Sequence, residues 1–183
     1  MGCIAIKRQI CLVTFVLIVI INILTSCSHQ VDELDSKPIT SSIKSPDFTL
    51  QVTAPMNVKA KEEFKVFVKF TYEGKKTKLL QYSGDKINFI LYNEEMEVYY
   101  ESGYPDIANL ENVQPGDISQ LEESFILEKG KYYLAVRTSS LSLDGISIKG
   151  VGNEDYITED VSPLKLRMEE SKITLGPIVI EAY

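Results

Sequence analysis

The chain has no tryptophan, a single histidine and only three cysteines among its 183 residues. The cysteines are Cys3, Cys11 and Cys27, and the histidine is His29, so beyond residue 29 there is neither a thiol nor an imidazole. That placement excludes Ser-His-Asp and Cys-His catalysis from the rest of the chain, because a general base must stand within hydrogen-bond reach of its target. Zinc and copper sites fail for the same lack of ligands. Without tryptophan, a carboxylate pair for glycoside hydrolysis would lack the aromatic platform beside which such pairs usually sit. A hydrolase working through carboxylates alone is the less favoured enzymatic alternative, and the chain reads as non-catalytic. Basic charge is short as well, with 19 Lys and Arg against 26 Asp and Glu. An acidic balance argues against nucleic-acid partners, which require basic surface to displace phosphate counterions.

Long apolar runs are equally scarce, and there is one. Ile10 to Leu24 is almost wholly apolar and follows Lys7 and Arg8. As a helix it would reach roughly 22 Å at about 1.5 Å per residue, short of the roughly 30 Å core of a bilayer. A basic flank, a short apolar stretch and small residues after it form a secretory signal. An uncleaved anchor, lengthened by Ile4 to Ile6, is the competing reading. Met1-Gly2-Cys3 suggests acylation at Gly2, but the pattern requires Ser or Thr at position six and Ile6 stands there.

Leu24-Thr25-Ser26-Cys27 ends the apolar stretch in a thiol. This resembles the lipobox of bacterial lipoproteins, and the resemblance covers residues 1 to 28. It implies cleavage before Cys27, lipidation of Cys27 by two or three acyl chains such as palmitate, and a mature protein on the outer face of the cell membrane or on the outer membrane. Ser28, with no aspartate beside the cysteine, would permit export to an outer membrane. One acyl chain gives marginal membrane binding and two or more give stable anchoring. Removing residues 1–26 leaves 17 basic against 26 acidic residues, so the charge moves from −7 to −9. An acidic domain of this kind does not dock on anionic headgroups, which leaves the membrane tethering to lipid. With Cys27 acylated, no thiol remains for a disulfide.

Residues 1–26 are thus a signal peptide with a helical apolar segment. Residues 27–45, rich in Ser, Thr, Lys, Asp and Glu, read as the lipidated cysteine and a flexible tether. Residues 46–183 are the right length for one domain. Period-two alternation fills them. Phe48, Leu50 and Val52 alternate with polar residues, and Phe64, Val66, Val68, Phe70 and Tyr72 make the clearest strand. Thr77 to Gln81 is a shorter candidate. Ile87 to Leu91 and Met96 to Tyr100 flank Asn93-Glu94-Glu95 as a hairpin. Ser102 to about Asp117 reads as a loop, with Gly103, Pro105, Pro115 and Gly116 as punctuation. Strands are expected again at Ser119 to Leu127, Gly130 to Val136, Ile146 to Lys149, Leu164 to Met168 and Ile173 to Ile180. Pro177 marks an edge strand or a bulge. The expected fold is all-β, an antiparallel immunoglobulin-like β-sandwich of about seven to nine strands.

Candidate binding groups are few. Tyr99 and Tyr104, near Tyr92 and Tyr100, offer a candidate binding patch of large contact area at low entropic cost; ordinary cross-strand packing is the competing reading for Tyr99 and Tyr100. Asp144, Glu154, Asp155, Glu159 and Asp160 could gather calcium, but their spacing matches no EF-hand loop and reads as a solvated acidic stretch. No metal and no cofactor is expected. Tyr132, two residues after Gly130, is placed to tie a loop to a strand, or simply to pack in the core.

Ser83-Gly84-Asp85, Phe89 in a strand, an acidic hairpin, Val113-Gln114-Pro115-Gly116-Asp117 and Gly130-Lys131-Tyr132-Tyr133 follow one another between Ser83 and Val136. This order resembles the central part of BsuPI-type proteinase-inhibitor domains, which are immunoglobulin-like sandwiches. Tyr99 and Tyr100 stand where such domains often carry a tryptophan. The resemblance supports the fold and implies proteinase inhibition through a loop such as Gly103 to Pro115 as an alternative function. The first expectation is a lipid-anchored binding or accessory domain meeting an envelope or secreted protein.

Overall fold

A computed structural model describes residues 37–102, 107–152 and 171–183. Among them there is no helix, and so none long and apolar enough to cross a membrane. In chain order, β1 is Pro38–Lys44, β2 Phe48–Pro55, β3 Asn57–Val58, β4 Glu63–Tyr72, β5 Lys78–Ser83, β6 Ile87–Tyr92 and β7 Val98–Glu101. There follow β8 Ala108–Val113, β9 Ile118–Ile126, β10 Gly130–Thr138, β11 Ser142–Leu143, β12 Ile146–Ser147, β13 Val151–Gly152 and β14 Ile173–Ala182.

These strands form three sheets. The first has the order β1-β2-β4-β9 and is antiparallel throughout. The second runs β13-β14-β10-β6-β7, with the short β3 and β13 each pairing parallel to β14. The third, β12-β11-β5-β8, is small and antiparallel.

Alternation decides which face each strand buries. Phe48, Leu50, Val52 and Ala54 of β2 are buried, as are Val66, Val68, Phe70 and Tyr72 of β4, while the residues between them stay partly or fully exposed. Phe89, Leu91, Leu134, Val136, Leu175 and Ile180 of the second sheet belong to the same core, so the two sheets form a sandwich. Burying each such aliphatic side chain contributes about 1.5–3 kcal/mol. Phe125 of β9 joins the layers, with ring centroids 5.8 Å from Phe64, 6.0 Å from Phe89 and 5.2 Å from Tyr100. The third sheet contributes Leu80, Val113 and Leu143 to this core. β6 and β10 are buried on both faces, which is why Phe89 to Leu91 and Tyr132 to Val136 are continuous apolar runs.

The all-β, immunoglobulin-like sandwich expected from the alternation is the fold observed. The Tyr132 hydroxyl donates to the Glu128 carbonyl at 3.1 Å, tying the β9–β10 corner to β10 as a tyrosine corner does. Ten strands have four residues or more, against the seven to nine expected. The additional strands are β1 and β8. Residues 38–44, expected to be tether, pair one-to-one with β2 from Pro38 opposite Pro55 to Lys44 opposite Thr49. Their sequence, with two isoleucines among Ser and Thr, carries little apolar signal; β2 supplies the ladder. The loop expected from Ser102 to Asp117 contains β8, which pairs with β5 without a break. Asn109, Glu111 and Asn112 are poor strand formers on their own, and the tertiary partner overrides that preference.

Pro177 marks a bulge, in an internal strand rather than at an edge. Leu134 faces Ile178 and Val136 faces Leu175, so Gly176 and Pro177 together oppose Ala135. A Cβ on Gly176 would stand 2.6 Å from the Leu134 carbonyl oxygen, and its φ of +129° also requires glycine. The strand expected at Ile146 to Lys149 is the two-residue β12. Leu164 to Met168 lies outside the described residues.

Candidate functional site

Strand direction brings β5, β8 and β9 together where the first and third sheets meet. There a cleft of about 210 Å³ is walled by Phe48, Phe70, Tyr72 and Leu80, with Lys86, Glu111 and Ser119 at its polar side. Lys86 follows the Gly84-Asp85 turn at the entry to β6, Glu111 comes from the inward face of β8, and Ser119 from the start of β9. The Lys86 side chain is only 15% exposed, and Glu111 is 35% exposed. Lys86 Nζ donates to Glu111 Oε1 and, at 2.9 Å, to Ser119 Oγ. It also lies 5.2 Å from the centroid of the Tyr82 ring, a cation–π distance. The Tyr82 hydroxyl stands 3.5 Å from Glu111 Oε2. Burial pushes the Tyr82 phenol pKa up, and the neighbouring Glu111 charge adds to that.

This arrangement neutralises its own charge. The amine donates to a carboxylate and to the serine oxygen, so Ser119 has a donor beside it rather than a base. The cluster forms a fixed polar wall that ties β5, β8 and β9 together. Sequence reasoning missed all four residues. Glu111 stood in an apparent loop and Lys86 in a turn, and only the partner strands show that the two charges meet.

The residues expected from sequence fare differently. Cys27 and the cleavage residues Leu24, Thr25 and Ser26 lie outside the described residues, as do Tyr104, Glu154, Asp155, Glu159 and Asp160. Tyr99 is 47% exposed. It stands at a register shift: Leu91 faces Tyr100 and Tyr92 faces Val98, which leaves Tyr99 as the extra residue. The bulge lets Tyr99 set its ring edge-on to Tyr132 at 5.2 Å, while Tyr100 sets its own edge-on to Phe125. The Tyr100 hydroxyl donates to Glu123 at 2.9 Å. Tyr99 is therefore both packed and accessible. Asp144 has a local task, accepting from the Leu79 amide at 2.9 Å with Lys78 Nζ 3.8 Å away. Six residues of the Gly103 to Pro115 segment considered for a protease-facing loop, Ala108 to Val113, are paired into the third sheet as β8, and residues 103–106 lie outside the described residues.

No protein-family model matches the chain, and no curated protein matches it. Solved structures similar to it include the C-terminal domain of wzt, at 12% identity over 84% of this chain and 89% of that one, with a TM-score of 0.37. Spo0M, a sporulation control protein from Bacillus subtilis, matches at 18% identity over 80% of this chain, TM-score 0.31. The match takes in 49% of Spo0M, so this chain spans about half of it. An ASH/PapD-like domain of human CEP192 matches at 14% identity over 86% of this chain and 97% of that one, TM-score 0.29. At such scores nothing about function passes from these proteins to this one.

Proposed function

We propose that the protein is a lipid-anchored extracytoplasmic lipoprotein whose immunoglobulin-like domain is a non-catalytic binding or accessory module. The observation that carries this is the division of chemistry along the chain. Every cysteine and the histidine precede residue 30, and Leu24-Thr25-Ser26-Cys27 gives the last thiol a lipidation context. The strands that follow hold no nucleophile–base pair of the thiol or imidazole kind. The most enclosed ion pair among the described residues, Lys86 with Glu111, is occupied with itself. Acyl chains on Cys27 would restrict the domain to the envelope, and residues between Cys27 and Pro38 would let it reach a protein or envelope component. The proteinase-inhibitor alternative has less support, because residues 108–113 of its presenting segment are the paired strand β8 rather than a loop.

Mass spectrometry of the mature protein, with labelling by a palmitate analogue, tests the anchor. The expected mature chain begins at an acylated Cys27, and Cys27→Ala leaves the protein unacylated and out of the membrane fraction. A mature chain that begins elsewhere without an acyl group overturns this reading. Failure of the soluble domain to protect substrates from a panel of extracellular proteases would dispose of the inhibitor alternative.

A further inference from the structure

Every open sheet has edges, and an edge strand is a template for pairing unless something blunts it. Among the described residues, the edges of this protein are β1, β9, β7, β13, β3, β12 and β8. Three of them, β3, β12 and β13, are two residues long, too short to template a partner. β1 begins at Pro38 and ends at Lys44. β7 is bulged at Tyr99 and ends at Glu101. β9 carries Glu122 and Glu123 at its middle. β8 alone has none of these devices. It is six residues long, in unbroken register with β5, and has no Pro and no Lys. Its one charge, Glu111, points inward. An inward charge normally guards an edge because pairing would bury it, but Lys86 already matches this one.

The outward residues of β8 are Ala108, Leu110 and Asn112. Leu110 is 62% exposed, and Ile107 just before the strand is 60% exposed. Beside them the outer face of the third sheet holds a depression of about 400 Å³ lined by Gln81, Ser83, Ala108, Leu110, Ser142 and Ser147, among others, and no charged side chain among the described residues lines it. In a protein with a net charge of −7, such a partly apolar hollow beside an edge that no described strand pairs selects a neutral partner. Six residues make an edge about 20 Å long at about 3.4 Å per residue. Two folded copies meeting along it would fall short of the roughly 800 Å² per partner of a stable dimer. An extended peptide pairs with the same edge and also lays alternate side chains over Ala108 and Leu110 toward the hollow.

We infer that β8 is an acceptor edge, and that it binds an extended, uncharged segment of a partner protein by strand addition. This rests on the binding-module reading, yet an unacylated Cys27 would defeat the anchor and leave the edge untouched. The test uses the whole chain in detergent and a fluorescent ten-residue peptide of alternating Val and Thr. The control is the same peptide with every second residue replaced by Pro. The expected result is saturable binding of the first peptide and none of the second, with hydrogen exchange slowed over residues 107–113 and unchanged over 118–126. Leu110→Lys should weaken binding at least tenfold with the melting temperature unchanged, and Asn112→Lys provides a second variant should that one fold poorly. Equal binding of both peptides, no binding, or protection at β9 instead of β8 overturns the inference. So does concentration-dependent protection of β8 without peptide, which would show a second copy on the edge.

Discussion

β8 and β9 are consecutive strands, joined by the Gln114–Asp117 turn, and each is the last strand of its sheet. They differ in almost everything else. β9 pairs over nine residues with the long β4 and sends Phe125 into the centre of the core. β8 pairs over six with β5 and sends Glu111 to Lys86. β9 sets Glu122 and Glu123 among the exposed Ile118, Leu121 and Ile126, and β8 carries exposed Leu110 with Glu111 as its one charge. The contrast is between an edge strand anchored in the core by an aromatic ring and one anchored by a charge pair. The turn that separates them needs Gly116, at φ +89°, whose amide donates to the Tyr72 carbonyl at 2.9 Å.

Substitutions can break or sharpen this contrast. Phe125→Ala removes the ring that joins Phe64, Phe89 and Tyr100, and should cost about 3–5 kcal/mol. Leu110→Ala on β8 should stay within about 0.5 kcal/mol. Urea midpoints at constant slope measure both, and equal losses would erase the distinction between the strands. Glu111→Gln leaves the Lys86 charge beside an apolar wall. Because the carboxylate is partly exposed, about 1–3 kcal/mol is expected, less than for a fully buried pair; Lys86→Met with Glu111→Gln should recover part of it in a double-mutant cycle.

Alkaline pH gives a smaller effect. The Tyr82 phenol beneath β8 is raised by burial and then by Glu111, so the folded state holds that proton longer than the unfolded chain does. Its contribution is complete below about pH 10 and is lost as pH rises through the folded value. Tyr72, Tyr92 and Tyr132 are raised as well, burial being the main cause in each. Stability should therefore fall above about pH 10, and less steeply in Tyr82→Phe; an unchanged slope would show that the phenol is not coupled to folding. The smallest change in stability should come from Glu122→Thr, which leaves the Glu123 acceptor of Tyr100 in place. Glu122 holds Lys65, whose pKa it raises by hydrogen bond and charge, but on a solvent-facing surface. This variant should be about as stable as the parent and should self-associate with concentration in sedimentation velocity. A strictly monomeric variant would show that charge is not what guards β9.

The same two strands mark how far the sequence could be read. β2, β4, the β6–β7 hairpin, β9 and β10 were legible because alternation and turn residues agree with their tertiary partners. The hairpin turn at Asn93 forms as its residues suggest, with the Asn93 side chain accepting the Glu97 amide at 2.8 Å. β1 and β8 were not legible. Their residues are Ser, Thr, Asn and Glu with few apolar positions, and they become strands because β2 and β5 offer ladders. The Lys86 cluster stayed hidden for the same reason, since its members come from a turn, an apparent loop and two strands. Gly176 gave no warning either, although Pro177 beside it did.

The Gln114–Asp117 turn also settles how a pull would travel. The described chain begins on β1, one edge of the first sheet, and the turn joins β8 to β9, the opposite edge of that sheet. Tension between Pro38 and this turn would cross β1, β2, β4 and β9 in turn. In that series β1 is joined to β2 by seven residue pairs, one more than join β2 to β4, and it also sets Ile43 into the core. The first sheet is therefore closed at the entry of the chain as firmly as in its middle.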